Sequence, residues 1–525
     1  MKLDNRKNKP YNYLMIDIIF KNAKIIDGTG KKAYYGDLGV SDGLFVTDPS
    51  GEARKEYDLT GKCVCPGFID SHSHMDRAFG RALDAIAVES RVKQGVTTEM
   101  TGMCGASLFP VEDTESFFRF AEKAPKAVNY GFMVGHGSVR TAVMQYRSGP
   151  PDRDELRAMS DHVRFAMEKG CFGLSSGLIY IPGVYADTQE LIDLAKEISP
   201  YGGIYATHLR SEADRLVEAV SEAILIAREA KVPLFISHHK AMGVSNWGKS
   251  KQTLRLVHDA AAQGLKITID QYPYTASQSS LMNSIPPEYF TEGKAAFAKK
   301  LKDPALREEL KKRMTAPEPG YNSGLRNAGG FDRVMIASLP KTPGLSGITI
   351  ADYAKRKGMD PFECYFDLLA ENECEGYGIF FAMDEEDMER IYLDENTCVG
   401  SDATFGSIDE HNHPRSYASF VRSICYFHKD RGLVTLEEAI RKQTFFTAQR
   451  WGLKGKGRIA GGYDADFVIF DEKKLRDRAD FAHPRRTAEG IEAVCVAGRA
   501  VCINGIVTGE RPGKCLYRKD PVCQG

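Results

Sequence analysis

From residue 66 onward the chain repeats one unit: a short apolar run, a loop, and a stretch whose apolar residues recur at helical spacing. Eight runs of strand length can be marked, at residues 68–72, 97–101, 130–134, 172–178, 203–208, 234–238, 266–272 and 397–402. Helical periodicity follows several of them, as at 213–230 and 251–263. Eight successive βα units need parallel strands, and eight parallel strands close into a TIM-type (β/α)8 barrel, an α/β fold.

The two ends of the chain read differently. Short apolar segments at 16–20, 23–26 and 37–40 are punctuated by Asp27-Gly28 and Asp42-Gly43, and the same texture returns at 466–470, 491–497 and 500–503, with Asn504-Gly505 as a turn. Such dipeptides make tight hairpins. A small β-sandwich domain assembled from residues 14–64 and 454–525 is expected, with a closed barrel at 65–453 bringing its two halves together. The gap between the seventh and eighth strands is too long for one helix. It holds Pro286-Pro287, a charged helical run at 294–314 and a loop-like stretch at 317–330, so residues 286–345 are expected to form an inserted lid over the barrel mouth.

Composition narrows the function classes. The 70 basic and 71 acidic residues nearly cancel and form no long block of one sign, which argues against a nucleic-acid or membrane-surface partner. Apolar runs are short, and the first 13 residues are polar and lysine-rich without a secretory apolar stretch, so a cytoplasmic protein is expected. Twelve scattered cysteines suit reduced, buried thiols, including the Cys63-x-Cys65 pair. Nothing in the sequence sets the oligomeric state.

In a barrel of this kind the carboxyl ends of the strands line the active site. Here those ends carry His72, His74, Cys104, His208, His238 and Asp402. His72 and His74 are two apart, so on a strand both imidazoles project to one side. A His-x-His pair alone also suits a packed core, but this set of metal-type donors at successive strand ends favours a metal. His238 and His239 are adjacent, so on a strand they point to opposite faces and only one of them can reach a metal.

The sequence resembles the amidohydrolase superfamily and, within it, the N-acyl-D-amino-acid deacylases (D-aminoacylases). The motifs that carry the resemblance are Pro-Gly-Phe-Ile-Asp-x-His-x-His at 66–74, Gly-Met-Cys-Gly at 102–105, Gly-Leu-Ile-Tyr at 177–180, Ala-Thr-His-Leu-Arg at 206–210, Ile-Ser-His-His-Lys at 236–240, Tyr-Pro-Tyr at 272–274, Gly-Ser-Asp at 400–402 and His-Pro-Arg at 413–415. The resemblance implies one tight Zn2+ site on Cys104, His208 and His238, with a weaker neighbouring site on His72, His74 and Asp402. It also implies that Tyr180 stabilises the oxyanion, that Lys240, Tyr272 and Arg415 bind the substrate's α-carboxylate, and that Asp402 is the catalytic base. Three protein ligands leave a metal position open, as catalysis requires.

The implied reaction is zinc-dependent hydrolysis of N-acyl-D-amino acids, small molecules, to a carboxylic acid and a free D-amino acid. Two departures qualify it. Met75 stands where many relatives have aspartate, and Ile285 falls about where D-glutamate-specific relatives carry arginine, which favours neutral or apolar side chains. A cyclic amidase of the hydantoinase or dihydroorotase type is the alternative, but such enzymes use a carboxylated lysine on the fourth strand, and 172–178 contains none. A non-catalytic barrel scaffold would be expected to have lost ligands, and none is missing. Residues 243–250 also satisfy a phosphate-loop pattern, yet five residues separate that loop from its strand, against the geometry such a loop needs.

Overall fold

A computed structural model describes residues 15–76, 85–107, 113–316, 321–404 and 412–518. Eight strands form the barrel wall: β1 (Phe68–Asp70), β2 (Val96–Thr101), β3 (Asn129–Phe132, resuming as Val134–Gly135), β4 (Gly173–Gly177), β5 (Ile204–His208), β6 (Leu234–Ile236), β7 (Ile267–Gln271) and β8 (Thr397–Val399). Parallel ladders join each to the next, with Leu174 opposite Val134 between β3 and β4 and Ile269 opposite Thr397 between β7 and β8. The ring closes where the Ser71 hydroxyl donates to the Val399 carbonyl (2.8 Å) and the His74 N–H donates to the Ala403 carbonyl (2.9 Å). All eight expected strands are present, each within a few residues of its expected limits.

The barrel interior is a packed core, with Met100, Met133, Phe172, Ile204 and Phe235 stacked toward Trp451. Trp451 comes from the late helix Phe445–Trp451 and lies 4.9 Å from the Phe235 ring. Short strand Cys515–Leu516 pairs in parallel with the first half of β3, an edge that β4 reaches only at Val134. Sequence pattern gave no sign of that strand, because two residues carry no period.

Both chain ends meet in one nine-stranded sheet. Its two contributions join where Phe467–Phe470 runs antiparallel to Cys63–Pro66. The sheet is mixed, since Ala53–Asp58 and Cys63–Pro66 run parallel to the long strand Ile16–Ile25. The two segments expected at 16–20 and 23–26 are that one strand, bent by a bulge at Asn22, whose φ is 59°. Layers fold over Phe20, Phe45 and Phe467, with ring centroids 5.3 and 5.8 Å apart.

The insertion has its own hydrophobic core, including Ile285, Phe297, Leu310, Phe366 and Phe380, beneath a three-stranded antiparallel sheet of Ser277–Ser280, Tyr377–Phe380 and Val334–Ser338. It therefore extends beyond 286–345 on both sides. The charged run at 294–314 is two helices, Lys294–Lys300 and Pro304–Thr315, because Asp303 caps the second and Pro304 starts it. Among the described residues no helix is long and apolar enough to cross a membrane.

Candidate metal centre and active-site cleft

The structure gathers the sequence-predicted donors at the barrel mouth. Cys104 Sγ lies 3.3 Å from His72 Nε2, 3.4 Å from His238 Nε2 and 3.9 Å from His208 Nδ1. Asp402 Oδ1 lies 3.2 Å from His74 Nε2 and 3.6 Å from His72 Nε2. All six side chains are buried. A tetrahedral zinc shell of thiolate and imidazole puts sulfur and nitrogen about 3.5 Å apart, close to the separations of Cys104 from His72 and His238, and the ligand atoms of His72, Cys104, His238 and Asp402 all lie within 4.8 Å of one another, with His208 set slightly further off. Burial alone would raise the Cys104 thiol, but His72 and His238 beside it draw it well below its ordinary value, toward the thiolate a metal needs.

Backbone conformation fixes these donors as firmly as their contacts do. Cys104, His238 and Asp402 all adopt left-handed φ, at 52°, 34° and 49°. Such conformations cost non-glycine residues on the order of 1–3 kcal/mol each and persist only where surroundings impose them. Gly400 shows the crowding: a Cβ there would lie 2.2 Å from Asp270 Oδ2 and 2.8 Å from His72 Cβ, which explains glycine before Ser401-Asp402.

Cys104, His74 and Asp402 open onto a cleft of about 1220 Å³ between barrel and insertion. Tyr180 lines it, its ring edge-on to His208 at 4.9 Å. Burial, with the negative charges of Cys104 and Asp402, pushes the Tyr180 phenol well above its ordinary value, so it stays protonated and can donate. Arg415 opens the helix Arg415–Ser423 and also lines the cleft, with Nη1 2.8 Å from Asp402 Oδ2. Lys240 and Tyr272 lie beside it but line a separate small cavity. The Tyr272 ring carries Arg415 at 4.7 Å and Lys240 at 5.7 Å, and its buried hydroxyl has no hydrogen-bond partner among the described residues. Lys240 itself is ion-paired with Glu212. Ile285 stands on the insertion wall with Met282 and Phe290.

Residues 55–279 and 327–502 match the amidohydrolase family, and over 96% of its length the chain is 34% identical to a D-aminoacylase of Alcaligenes xylosoxydans xylosoxydans, covering 98% of that protein. The chain belongs to the amidohydrolase family. It is also 32% identical to an N-acyl-D-aspartate deacylase of the same organism, over 96% of each chain. The crystal structure of N-acyl-D-glutamate deacylase from Bordetella bronchiseptica, complexed with zinc and a phosphonate mimic of the tetrahedral intermediate, is similar at a TM-score of 0.81 and 30% identity, over 96% of this chain and 100% of that one. A D-hydantoinase, at 16% identity and a TM-score of 0.58, shares the fold alone.

This amidohydrolase holds its donors with three buried acids that sequence reasoning gave no role. Asp270 Oδ1 lies 3.1 Å from His72 Nδ1 and accepts the His238 backbone N–H at 2.9 Å. Asp70 accepts the backbone N–H groups of His72 (3.1 Å) and Ser401 (2.9 Å), and Arg91 neutralises it from 3.0 Å. Glu212 faces His208, His238 and Lys240; burial opposes its charge, but those three groups hold its carboxyl well below the usual range. The available signal was an acid within the apolar run Ile267-Thr268-Ile269-Asp270, since a carboxylate there must be buried with a partner.

Other expectations resolve simply. His239 is bonded to Thr253 Oγ1 at 2.8 Å, and burial with Lys240 nearby lowers it to about 4, as a neutral packing residue. Met75 is fully buried in the main core. In the loop at 243–250, Asp387 accepts the Gly248 N–H (2.6 Å) and the Ser250 hydroxyl, so a carboxylate already holds the anion-binding groups. Lys249 is half-buried and donates to the Asp214 carbonyl (2.8 Å) and Asn246 Oδ1 (2.7 Å).

Proposed function

We propose that this amidohydrolase hydrolyses the amide bond of N-acyl-D-amino acids with neutral or apolar side chains, releasing a carboxylic acid and the free D-amino acid. The observation that carries the reading is the convergence of His72, His208 and His238 on Cys104, which with Asp402, Tyr180 and Arg415 lines one cleft. Cys104, His208 and His238 would hold one zinc tightly, and His72, His74 and Asp402 a second ion more weakly. For a D-aminoacylase of known structure, a binuclear centre is described with one-metal activation and second-metal attenuation. Bound zinc supplies Lewis acidity, polarising the scissile carbonyl and the attacking water.

The side chains do the rest. Arg415, with Tyr272 and Lys240 beside it, takes the substrate's α-carboxylate, since a guanidinium can grip a carboxylate with two parallel bonds. Sharing Arg415 with that carboxylate frees Asp402 to accept a proton from water and return it to the leaving amine, one group acting as base and then acid. The Tyr180 O–H donates to the amide oxygen as it gains charge. Two anchored ends leave the α-carbon's side chain one direction, toward the insertion wall with Ile285, Met282 and Phe290. Basic residues of the cleft other than Arg415 have partners: Arg210 is paired with Glu222 at 2.9 Å and Lys294 with Glu375 at 3.0 Å. That favours a neutral side chain.

Hydrolysis of paired N-acetyl-D- and N-acetyl-L-amino acids tests the reading. The expected result is turnover of neutral D-substrates only. Preference for an L-series, or for N-acetyl-D-glutamate, would contradict it.

A further inference from the structure

Glu212 follows β5 by one turn of loop, four residues past His208. Its carboxylate is buried and reaches behind two of the donors: Oε1 lies 3.0 Å from His238 Nδ1, which Lys240 Nζ also approaches to 2.8 Å, and Oε2 lies 3.5 Å from His208 Nε2. These are the ring nitrogens that Cys104 does not face, since His238 presents Nε2 and His208 presents Nδ1 to its sulfur. Among the described residues His208 Nε2 is buried with no hydrogen-bond partner, and the Glu212 carboxylate faces it from 3.5 Å.

An imidazole that gives one nitrogen to a metal carries its proton on the other, and an acceptor beside that N–H fixes both tautomer and ring orientation. The two histidines here present opposite nitrogens to the sulfur, so they need opposite tautomers. One carboxylate placed between the two outer nitrogens can accept the N–H of each and so select both tautomers, with the Lys240 ammonium giving its proton to Glu212 rather than to His238 Nδ1. From this geometry we infer that Glu212 is the positioning residue that holds His208 and His238 for the metal, with Lys240 as its counter-charge. The inference rests on the metal centre proposed above.

A bland alternative is available: Glu212 is there only to neutralise buried Lys240. The two accounts separate in a double variant. Zinc affinity is measured by competition with a chelating dye for the parent, Glu212→Gln, Lys240→Met and Glu212→Gln/Lys240→Met, with thermal midpoints on the same samples. Absorption of the cobalt(II)-substituted proteins reports the ligand field independently of turnover. Expected is a loss of roughly 10–100-fold in zinc affinity with Glu212→Gln, in the range found when such outer partners are removed. Lys240→Met should stay near the parent. The double variant, with no orphaned cation, should bind zinc as weakly as Glu212→Gln and show the same altered cobalt spectrum.

Recovery of parental affinity in the double variant would overturn the inference, because Glu212 would then serve Lys240 alone. Parental affinity in Glu212→Gln would overturn it as well. If Glu212→Gln fails to fold, Glu212→Asp serves in its place, and an unchanged affinity and cobalt spectrum would count against the inference in the same way. A parent that binds no zinc would remove the metal centre and this inference with it, an outcome distinct from the others.

Discussion

The two walls of the cleft are held by different means. On the barrel side the donors sit on strand ends, three of them in left-handed backbone conformations, and buried Asp70, Asp270 and Glu212 brace them. On the insertion side the lining residues Met282, Ile285 and Phe290 belong to a separate hydrophobic core, and among the described residues between Ser277 and Phe380 the left-handed non-glycine ones are Glu373 and Cys374. The barrel wall is built to fix atoms for chemistry, and the insertion wall to present a shape. Substitutions on the first should therefore abolish reaction, while those on the second should redirect it.

The largest effect is expected at Cys104. Cys104→Ala removes the sulfur on which three imidazoles converge, so zinc should be lost and kcat/KM should fall by roughly a thousandfold or more, about 4 kcal/mol. Zinc content by mass spectrometry decides it, and full retention would take Cys104 out of the site. Arg415→Met comes next, with a loss of roughly 2–5 kcal/mol in transition-state binding if the contact to substrate is buried. Because Arg415 also pairs with Asp402, the informative control is an N-acyl-D-amino acid amide, which lacks the carboxylate. The parent should use that amide poorly and Arg415→Met should leave its rate nearly unchanged; equal losses on both substrates would assign Arg415 to Asp402 alone.

The insertion wall should give a smaller, selective response. N-acetyl-D-leucine should exceed N-acetyl-D-glutamate in kcat/KM by about 10–100-fold, the range that one apolar pocket contact commands. Ile285→Arg should narrow that ratio about tenfold without changing zinc content; a parallel fall on both substrates would place Ile285 in the fold rather than in specificity. Smallest of all, Lys249→Ala should leave amidase activity within about twofold and cost stability by about 1 kcal/mol, the worth of its bonds to Asp214 and Asn246. ATP hydrolysis that vanished in Lys249→Ala would reopen the phosphate-loop reading.

The same contrast governs what was legible in the sequence. The eight barrel strands announce themselves by apolar runs, and the donors by residue type at the run ends, so both could be located before any contact was known. Glu212 could not: it sits in a loop with no period, and its partners His238 and Lys240 are about 30 residues away in sequence and belong to the next strand. The bulge at Asn22, the break before Pro304 and the two-residue strand at Cys515 follow from local backbone geometry and distant edges, which residue pattern records weakly. Lys240 was legible only as a contact for the substrate's carboxylate, because its counter-ion Glu212 lies on another element.

The central claim is that chemistry here depends on one tightly held metal built on Cys104. Metal-stripped protein titrated with zinc, with N-acetyl-D-leucine hydrolysis followed at each addition, tests it directly. Activity should be absent at the start, rise linearly and reach its maximum at one equivalent per chain. Full activity in the stripped protein would contradict the claim.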